Sequence, residues 1–335
     1  MSEYAIILDR DDTVNVDPGY LSDINQVELL PRVAEAVALF SQSGISVFIA
    51  SNQSGVARGL ITNEQLKQIN EKIVQLIALQ GGQIEKVYVC PHKDEDECEC
   101  RKPKSGLIEQ IIRENNLSPE KIYLIGDRGR DLSCGVRWNM KGILVGNREH
   151  EDAPNCVHRA ENLFEAASFV LEDIFEIEIQ KKIFLSAHDF LPRLKTLREK
   201  KQRIITTNGC FDILHSGHAQ LLSQARALGD ALIVGLNSDR SVRALKGEKR
   251  PVNSQVDRAR MLALWPFVSA VIIFDEDTPL EMLKILQPDI HVKGGDYQKE
   301  QLPEYALMKT LGGDVTILPF RKGYSTTSII NKFLG

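Results

Sequence analysis

Short apolar segments alternate with amphipathic, helix-period segments through the first 147 residues, and this alternation is what most restricts the fold. The helix-period stretches include 31–43, which begins with a proline, and 63–80. Near-continuously apolar strands that alternate with helices are typical of a parallel sheet covered by helices on both faces. The segments that predict strands are Tyr4–Leu8, Ser46–Ala50, Lys86–Val89, Ile122–Ile125 and Gly142–Val145.

A second alternating unit occupies the C-terminal part of the chain, with motifs that differ from those of the first. The chain has 335 residues, and this length predicts two domains of roughly 150 residues each. We expect a fusion of two doubly wound parallel-sheet α/β domains, 1–147 and 201–335, joined by a helical linker over 148–200. Linker helices at about 160–180 and 187–200 are expected to connect the domains or to form a dimer of identical chains. The strands of the second unit are predicted at Arg203–Thr206, Ala231–Leu236, Val271–Ile273, Ile290–Val292 and Val315–Leu318.

The overall charge and the distribution of apolar residues argue against several classes of partner. A net charge of -5 disfavours a nucleic acid or an anionic membrane as the main partner, although a local pocket can still be basic. No apolar run approaches the roughly 18–20 residues of a membrane span, and the first apolar stretch lacks the basic start of a signal peptide. Six cysteines without an export signal indicate reduced thiols or metal ligands. We expect a cytoplasmic protein that acts on small molecules.

The first predicted strand runs into two aspartates, Asp9 and Asp11. The carboxyl ends of parallel strands face the crevice where open α/β sheets bind ligands. There, one carboxylate can attack phosphorus while the other transfers a proton, and a magnesium ion can offset the charge. Taken alone, the pair is equally compatible with a solvated acidic turn.

Three later residues supply the rest of a phosphoryl-transfer site. The second strand runs into Ser51, Lys102 lies in a later loop, and the fourth strand runs into Asp127. The order of acid pair, hydroxyl, lysine and acid resembles that of the haloacid dehalogenase phosphatase superfamily. The resemblance implies that Asp9 is the nucleophile, that Asp11 is the general acid and then base, and that Ser51 and Lys102 hold the phosphoryl oxygens. It also implies a magnesium site at Asp9, Asp11 and Asp127, with a main-chain carbonyl among its ligands.

A loop of mostly charged residues before Lys102 carries three cysteines and a histidine. Three thiolates and an imidazole suit a closed tetrahedral zinc site, and the lack of an open ligand position makes such an ion structural. It would hold the loop that contains Arg101 and Lys102. Buried inert cysteines are the alternative, but the charged residues between them make burial of the loop implausible. The predicted zinc ligands are Cys90, His92, Cys98 and Cys100.

This zinc loop restricts the resemblance to a smaller group within the phosphatase superfamily. Together with 9–20 and 51–59, the segment 90–103 resembles the D-glycero-D-manno-heptose 1,7-bisphosphate 7-phosphatases, with histidinol-phosphate phosphatases as their nearest relatives. One position departs from the family, which usually has glycine where this chain has Asp12. We expect the extra carboxylate to point to solvent rather than to change the affinity for magnesium. The substrate contacts implied by the resemblance are Asn52, Gln53, Arg58 and Arg101.

A second motif follows the first strand of the C-terminal unit. His215 and His218 have the spacing His-x-Gly-His where a strand gives way to a helix. A helix N-terminus offers N–H groups and a positive dipole end to phosphate. Two imidazoles there can donate hydrogen bonds to an α-phosphate as charge builds during in-line displacement. A lone histidine would more often be a core or surface residue, but this spacing and placement favour catalysis.

Three later segments agree with a phosphate-binding site. Residues 246–251 supply cations, 293–297 follow a strand and contain two glycines, and 324–329 place hydroxyls at a helix start. For the last segment, a simple helix cap is the alternative. Together, residues from about 203 to 333 resemble the cytidylyltransferase-like superfamily, and most closely the D-glycero-β-D-manno-heptose 1-phosphate adenylyltransferases.

The resemblance implies distinct roles within the C-terminal site. His215, His218 and Lys246 would stabilise the transition state, and Ser325 and Thr326 would hold the departing pyrophosphate. We expect the phosphatase-like domain to occupy the place of the sugar-kinase domain that is often joined to such transferases. The implied nucleotide contacts are Thr207, Asn208, Gly209, Phe211, His215, His218, Asn237, Asp239, Lys246, Lys293, Ser325 and Thr326.

The two resemblances rest on separate residues, yet they imply consecutive steps of one pathway. Removal of the 7-phosphate from heptose 1,7-bisphosphate gives heptose 1-phosphate. The transferase would join this product to AMP from ATP, giving pyrophosphate and the ADP-heptose used in lipopolysaccharide biosynthesis. The alternatives are CTP or another nucleotide donor, a different phosphorylated metabolite for the phosphatase, or an N-terminal domain without catalysis. The retained acids, hydroxyl and lysine argue against the last alternative.

Overall fold

The ten predicted strands and two further ones form two six-stranded sheets in which all neighbouring strands run parallel. The structure, a computed structural model, describes residues 3–146 and 151–319. The chain divides into two units, 1–174 and 175–335. Each unit holds one sheet, and helices connect most successive strands. The predicted fold class, two doubly wound α/β sheets, is therefore confirmed.

In the first unit, the strand order reverses in the middle of the sheet. The strands are β1 (Ala5–Leu8), β2 (Ser46–Asn52), β3 (Lys86–Cys90), β4 (Ile122–Gly126), β5 (Lys141–Val145) and β6 (Cys156–Ala160). The helices are α1 (Val33–Gln42), α2 (Asn63–Ala78), α3 (Gly106–Asn115), α4 (Gly129–Ser133) and α5 (Leu163–Gln180), which continues into the second unit. The strand order is β3-β2-β1-β4-β5-β6. Because the connections diverge after β1 and β4, a crevice opens between the carboxyl ends of these two strands.

The second unit repeats this reversal with different strands. Its strands are β7 (Ile183–Phe184), β8 (Ile204–Gly209), β9 (Ala231–Asn237), β10 (Ala270–Phe274), β11 (Ile290–Gly294) and β12 (Asp314–Leu318). Its helices are α6 (Leu191–Glu199), α7 (Ser216–Arg226), α8 (Asp239–Lys246), α9 (Gln255–Ala263), α10 (Leu280–Leu286) and α11 (Pro303–Thr310). The order β12-β11-β8-β9-β10-β7 places the crevice between β8 and β11.

The central strand β1 shows why the apolar segments form buried strands. All four of its residues are buried. Side chains alternate across a strand, so Ile6 and Leu8 join the cluster on one face of the sheet, while Ala5 and Ile7 join the cluster on the other. Because both faces of the sheet are covered, every side chain of the strand is buried, which accounts for its continuous apolar sequence.

Helix α2 shows how the sequence fixes both the start and the buried face of a helix. The Thr62 hydroxyl accepts a hydrogen bond from the Gln65 backbone N–H at 3.2 Å, and the Gln65 side chain accepts one from the Thr62 N–H at 2.9 Å. This capping box satisfies N–H groups that have no partner within the helix. The apolar residues recur at helical spacing and form the buried face: Leu66, Ile69, Ile73 and Ile77.

Two strands within 148–200 were not predicted, since this segment was expected to be helical. Strand β6 pairs with β5 in the first sheet, and the two-residue strand β7 pairs with β10 in the second. Both are edge strands with a single neighbour, and β6 contains His158 and Arg159 instead of an apolar run. Helix-period patterns in this segment correspond to α5 and α6. No helix in the described part of the chain has both the length and the apolar character needed to cross a membrane.

Leucines on α2 provide a matched test of packing in the first unit. Leu66 is 3% exposed, whereas Leu79, at the end of the helix, is 81% exposed. We expect Leu66→Ala to lower the free energy of unfolding by about 2–5 kcal/mol, because a buried cavity is left behind. Leu79→Ala should change it by less than about 0.5 kcal/mol. Urea denaturation of both variants measures this, and equal effects would contradict the assigned buried face.

Candidate functional site

Carboxylates from β1 and β4 meet in the crevice of the first unit. Asp9 follows β1, and its N–H donates to the Ile125 carbonyl of β4 at 2.8 Å. Asp127 follows β4 and is buried, as is Asp131 at the start of α4. One oxygen from each of Asp9, Asp127 and Asp131 lies within 4.8 Å of the others, and Asp11, which was also predicted to hold magnesium, is not in this group. Carboxylate oxygens are the ligands that magnesium prefers in proteins, so this trio fits a magnesium ion.

Lys102 lies between two of these acids. Its ammonium is 2.5 Å from Asp9 Oδ1 and 2.7 Å from Asp131 Oδ1, and its side chain is 2% exposed. Burial lowers the pKa of Lys102, but the charges of Asp131 and Asp9 outweigh this and raise it. Burial raises the pKa of Asp9 to about 7, while Lys102 acts in the opposite direction. The site thus holds a buried cation whose charge is offset by neighbouring carboxylates.

Residues at the carboxyl end of β2 position Lys102 and Asp11. The Asn52 side chain accepts a hydrogen bond from the Lys102 N–H and donates one to the Lys102 carbonyl, both at 3.0 Å. Gln53 Nε2 donates to Asp11 Oδ2 and to Ser51 Oγ, each at 2.7 Å. The structure therefore brings Ser51, Lys102 and both predicted acids into one site. In this arrangement, the amides of Asn52 and Gln53 bind protein groups.

Two residues of this site were missed from the sequence. Asp131, the second partner of Lys102, also accepts a hydrogen bond from the Arg128 N–H at 3.1 Å and so caps α4. Its position four residues after Asp127, at a helix start, was the available signal. Arg10 is 1% exposed, and its Nε and Nη2 donate to Asp11 Oδ1 at 2.9 and 2.7 Å. A pair of adjacent residues produces no periodic pattern, so the contact of Arg10 with Asp11 could not be predicted from the sequence.

Asp12 has a local role that neither expectation included. Its φ of 57° lies in the left-handed region, which explains why glycine suits this position. The half-buried carboxylate accepts a hydrogen bond from the Asp17 N–H at 3.2 Å, and it is not part of the Asp9, Asp127 and Asp131 trio. The expectation that Asp12 simply points to solvent is therefore incomplete, because its side chain closes a turn.

A polar cavity of about 270 Å³ extends from Asp9 and Asp127 to a group of arginines. Arg58, one of the predicted substrate contacts, is exposed on its wall. Arg101, another predicted substrate contact, donates to Asp94 and, through Nη1, to the His92 carbonyl at 3.2 Å. Arg128 and Arg130, which were not predicted, line the same cavity. It therefore combines a carboxylate–lysine end with a cationic wall that can bind an anion.

The four predicted metal ligands converge beside this cavity. Sγ–Sγ distances are 3.1 Å between Cys90 and Cys100, and 3.5 Å from each of them to Cys98. His92 Nδ1 lies 3.3 Å from Cys100 Sγ and 3.6 Å from Cys90 Sγ. A tetrahedron with bonds of about 2.3 Å has edges of about 3.8 Å, so the spacing approaches that of one four-coordinate ion. All six cysteines of the chain are free thiols.

In the second unit, the crevice between β8 and β11 holds an ion pair between a half-buried lysine and a buried glutamate. Lys293 Nζ at the end of β11 lies 2.7 Å from Glu304 Oε1 and donates to Asn208 Oδ1 of β8 at 2.9 Å. Glu304, at the start of α11, is 5% exposed and was missed from the sequence. A cavity of about 500 Å³ contains this group, and predicted contacts also line it: Gly209, Phe211, His218, Asn237 and Lys246.

The two histidines of the second motif stack at the start of α7. Their ring centroids are 3.9 Å apart with an interplanar angle of 20°. His215 precedes the helix, and its Nδ1 accepts a hydrogen bond from the Gly217 N–H at 3.2 Å, which makes it the N-cap. Burial lowers the pKa of both rings, and the charges of His215 and Lys246 contribute further for His218, whose pKa falls to about 4. At neutral pH, both imidazoles are thus uncharged hydrogen-bonding groups.

Other predicted nucleotide contacts lie outside this cavity or outside the described residues. The Thr207 hydroxyl donates to the Val292 carbonyl at 2.9 Å and so joins β8 to β11. Asp239 forms an ion pair at 2.7 Å with Arg258, which is 1% exposed. These contacts indicate packing roles for Thr207 and Asp239. Ser325 and Thr326 lie beyond residue 319, outside the described residues.

A buried acid and a buried arginine organise the loops around the cavity, and neither was predicted from the sequence. Asp212 Oδ1 accepts hydrogen bonds from the Val252 and Asn253 N–H groups, at 2.8 and 3.1 Å, and its Oδ2 lies 2.5 Å from Arg250 Nε. Arg258 donates to the Cys210 carbonyl at 2.5 Å. The loop after β8 is thereby fixed to the cationic loop that follows Lys246.

Comparison with known proteins matches different families to the two parts of the chain. Residues 99–174 match the HAD-hydrolase-like family model, and residues 206–332 match the cytidylyltransferase-like model. The chain is 47% identical over 158 residues to the bifunctional protein HldE of Wolinella succinogenes, covering 47% of this chain and 32% of that protein. It is 53% identical over 139 residues to HldE of Campylobacter jejuni strain RM1221, covering 42% and 29%. The chain thus spans about a third of the length of these relatives.

Among solved structures, one similar chain is the D,D-heptose 1,7-bisphosphate phosphatase of B. bronchiseptica, complexed with magnesium and phosphate. It is 32% identical, with a TM-score of 0.48. The match covers 51% of this chain and 99% of that one.

Depression of the His218 pKa gives a direct spectroscopic prediction. A histidine in an unfolded chain titrates near about 6.5, whereas His218 should titrate near pH 4 in the folded protein. Between about pH 6.5 and pH 4, the His218 imidazole binds a proton in the unfolded chain but not in the native protein. The free energy of unfolding therefore decreases as the pH falls through this range. Imidazole NMR titration, with His218→Gln for assignment, tests this. A midpoint between 6 and 7 would contradict the account.

Proposed function

We propose that this chain, in which a HAD-hydrolase-like domain precedes a cytidylyltransferase-like domain, makes a nucleotide-activated heptose in two steps. The first domain would remove the 7-phosphate of D-glycero-β-D-manno-heptose 1,7-bisphosphate. The second would transfer AMP from ATP to the resulting heptose 1-phosphate. The observation that carries the proposal is that each sheet has a set of phosphate-chemistry side chains at the point where its strand order reverses.

The geometry around Asp9 supports a phosphatase with a covalent intermediate. An oxygen of Asp9 attacks phosphorus, the bond from phosphorus to the sugar oxygen breaks, and Asp11 gives that oxygen a proton. Asp11 then takes a proton from water, the water oxygen attacks phosphorus, and phosphate leaves as the Asp9 carboxylate is restored. Lys102, 2.5 Å from Asp9, offsets negative charge on the transferring group.

The proposed phosphatase site includes two metal ions, one that acts on the phosphoryl group and one that is structural. Asp9, Asp127 and Asp131 would hold magnesium, which supplies positive charge for the phosphoryl oxygens. Cys90, His92, Cys98 and Cys100 would hold a structural zinc ion. The cationic wall with Arg58 and Arg101 suits the phosphate that is not transferred. For the choice of sugar, support comes from the resemblance of segments 9–20, 51–59 and 90–103.

The crevice of the second unit supports nucleotidyl transfer. A phosphate oxygen of the sugar 1-phosphate attacks the α-phosphorus of the nucleotide, and the bond to the bridging oxygen breaks with release of pyrophosphate. Neutral His215 and His218 donate hydrogen bonds to the α-phosphate oxygens as their charge grows. Lys246 and Lys293 line the cavity and supply positive charge for the phosphates.

A second candidate concerns the nucleotide donor. The family model that matches residues 206–332 is described as cytidylyltransferase-like, which favours CTP as the alternative to ATP. Initial rates with heptose 1-phosphate and each nucleoside triphosphate in turn distinguish them. We expect ATP to be the preferred donor. Faster turnover with CTP would contradict this expectation and identify CTP as the donor.

The nucleophile assignment predicts that the two activities separate. Asp9→Asn keeps the shape of the side chain but removes its charge, so phosphate release from heptose 1,7-bisphosphate should fall below detection. Transfer onto supplied heptose 1-phosphate should stay near the wild-type rate. The reciprocal variant His218→Ala should keep phosphate release and lose about 10²–10³ in the transfer rate. Phosphate release by Asp9→Asn at the wild-type rate would rule out the covalent mechanism.

The zinc assignment predicts a stoichiometric structural metal. Purified protein should contain about one zinc ion per chain, as closed four-ligand sites do. Cys98→Ser should lower both the zinc content and phosphatase activity, because the loop that carries Lys102 loses its anchor, and should leave nucleotidyl transfer unchanged. Cys156→Ser, which removes a thiol outside the site, is the control. Metal analysis that finds no zinc in wild-type protein would refute the assignment.

A further inference from the structure

The cationic wall of the first cavity already holds an anion from the protein itself. Asp94, in a helical turn of the zinc loop, presents its carboxylate to Arg101. Asp94 Oδ1 is 2.5 Å from Arg101 Nε, and Oδ2 is 3.3 Å from Nη2. This two-point pairing is the geometry in which arginine also binds phosphate.

We propose that Asp94 occupies the binding position of the substrate's second phosphate until the bisphosphate displaces it, an inference that rests on the phosphatase function proposed above. Asp94 would then weaken the preference for bisphosphate over monophosphate substrates, because only a bisphosphate has to displace it. A bisphosphate exchanges a carboxylate for a phosphate on Arg101, whereas a monophosphate leaves the internal pair intact.

The difference in exposure between the two partners indicates which one moves. The Arg101 side chain is 14% exposed and also donates to the His92 carbonyl, so it is seated in the cavity wall. The Asp94 side chain is 75% exposed and reaches Arg101 from the solvent side. An exposed ion pair of this kind is worth only about 0.2–1 kcal/mol. A phosphate with more charge and more oxygen acceptors can therefore displace the carboxylate while Arg101 stays in place.

The neighbouring arginines place Asp94 in the positive field that a phosphate would meet. Besides Arg101, the guanidinium groups of Arg58 and Arg130 supply this field. All four residues line the same cavity. The loop of Arg58 is joined to the zinc loop, because the Ala57 N–H donates to the Pro91 carbonyl at 3.2 Å.

A selectivity measurement tests this role. The quantity is the ratio of kcat/KM for heptose 1,7-bisphosphate to kcat/KM for mannose 6-phosphate, which lacks the second phosphate. Asp94→Asn should raise this ratio by about 1.5- to 5-fold through a lower KM for the bisphosphate, in line with the strength of an exposed pair. Arg101→Gln should lower the ratio. Glu95→Gln, which removes the same charge from the adjacent exposed position, should leave it unchanged.

The outcomes separate this inference from the proposed function. If Asp94→Asn lowers the ratio as Arg101→Gln does, Asp94 supports Arg101 and does not compete with phosphate. If Asp94→Asn and Glu95→Gln raise the ratio equally, the effect comes from net charge alone, and the inference is overturned. Zinc content equal to that of the wild type establishes that the loop is intact in each variant. Wild-type protein that hydrolyses neither substrate would overturn the phosphatase itself.

Discussion

The reversal of strand order within each parallel sheet is the constraint on which both sites depend. Successive strands are added on one side of β1 and then on the other side from β4, and the same happens at β8 and β11. Connections that leave in opposite directions cannot fill the space between the two carboxyl ends. The hydrogen bond of the Asp9 N–H to the β4 carbonyl of Ile125, and that of Lys293 to Asn208 of β8, both span such a point.

Each crevice contains a lysine that is matched by acids, and Lys102 is buried whereas Lys293 is half-buried. Lys102 lies between Asp9 and Asp131, and Lys293 contacts Glu304. Removal of one partner from a buried pair commonly costs about 3–5 kcal/mol, whereas replacement of a whole pair by apolar residues is often neutral. Stability alone therefore gives no reason to keep these charges. They are consistent with sites whose task is to bind and stabilise a phosphate group.

Site residues that follow a strand could be predicted from the sequence, whereas the acids that pair with the two lysines could not. Asp9, Ser51 and Asp127 could be found because each follows an apolar strand, and the strand identifies the edge of the sheet. Asp131 and Glu304 could not be assigned, since their roles depend on which lysine the fold brings near them. Strand β6 was missed because an edge strand that contains His158 and Arg159 has no apolar run.

Some residues that were predicted to bind substrate or nucleotide contact other protein groups instead. Asn52 was expected to bind substrate from its position at the end of β2, but its amide forms two hydrogen bonds with the Lys102 backbone. Asp239 follows β9, as a nucleotide contact would, and it instead pairs with the buried Arg258. A motif gives the position of a polar side chain relative to the sheet, but the choice of partner depends on loops from elsewhere in the chain.

The most direct test of the two-step account is a ³¹P NMR time course of the wild-type protein with heptose 1,7-bisphosphate, ATP and magnesium. The account predicts that inorganic phosphate appears first and that heptose 1-phosphate accumulates briefly. Pyrophosphate and a nucleotide heptose without a 7-phosphate then follow, with final amounts of phosphate and pyrophosphate equal. A nucleotide heptose that retains its 7-phosphate, or pyrophosphate released without phosphate, would contradict it.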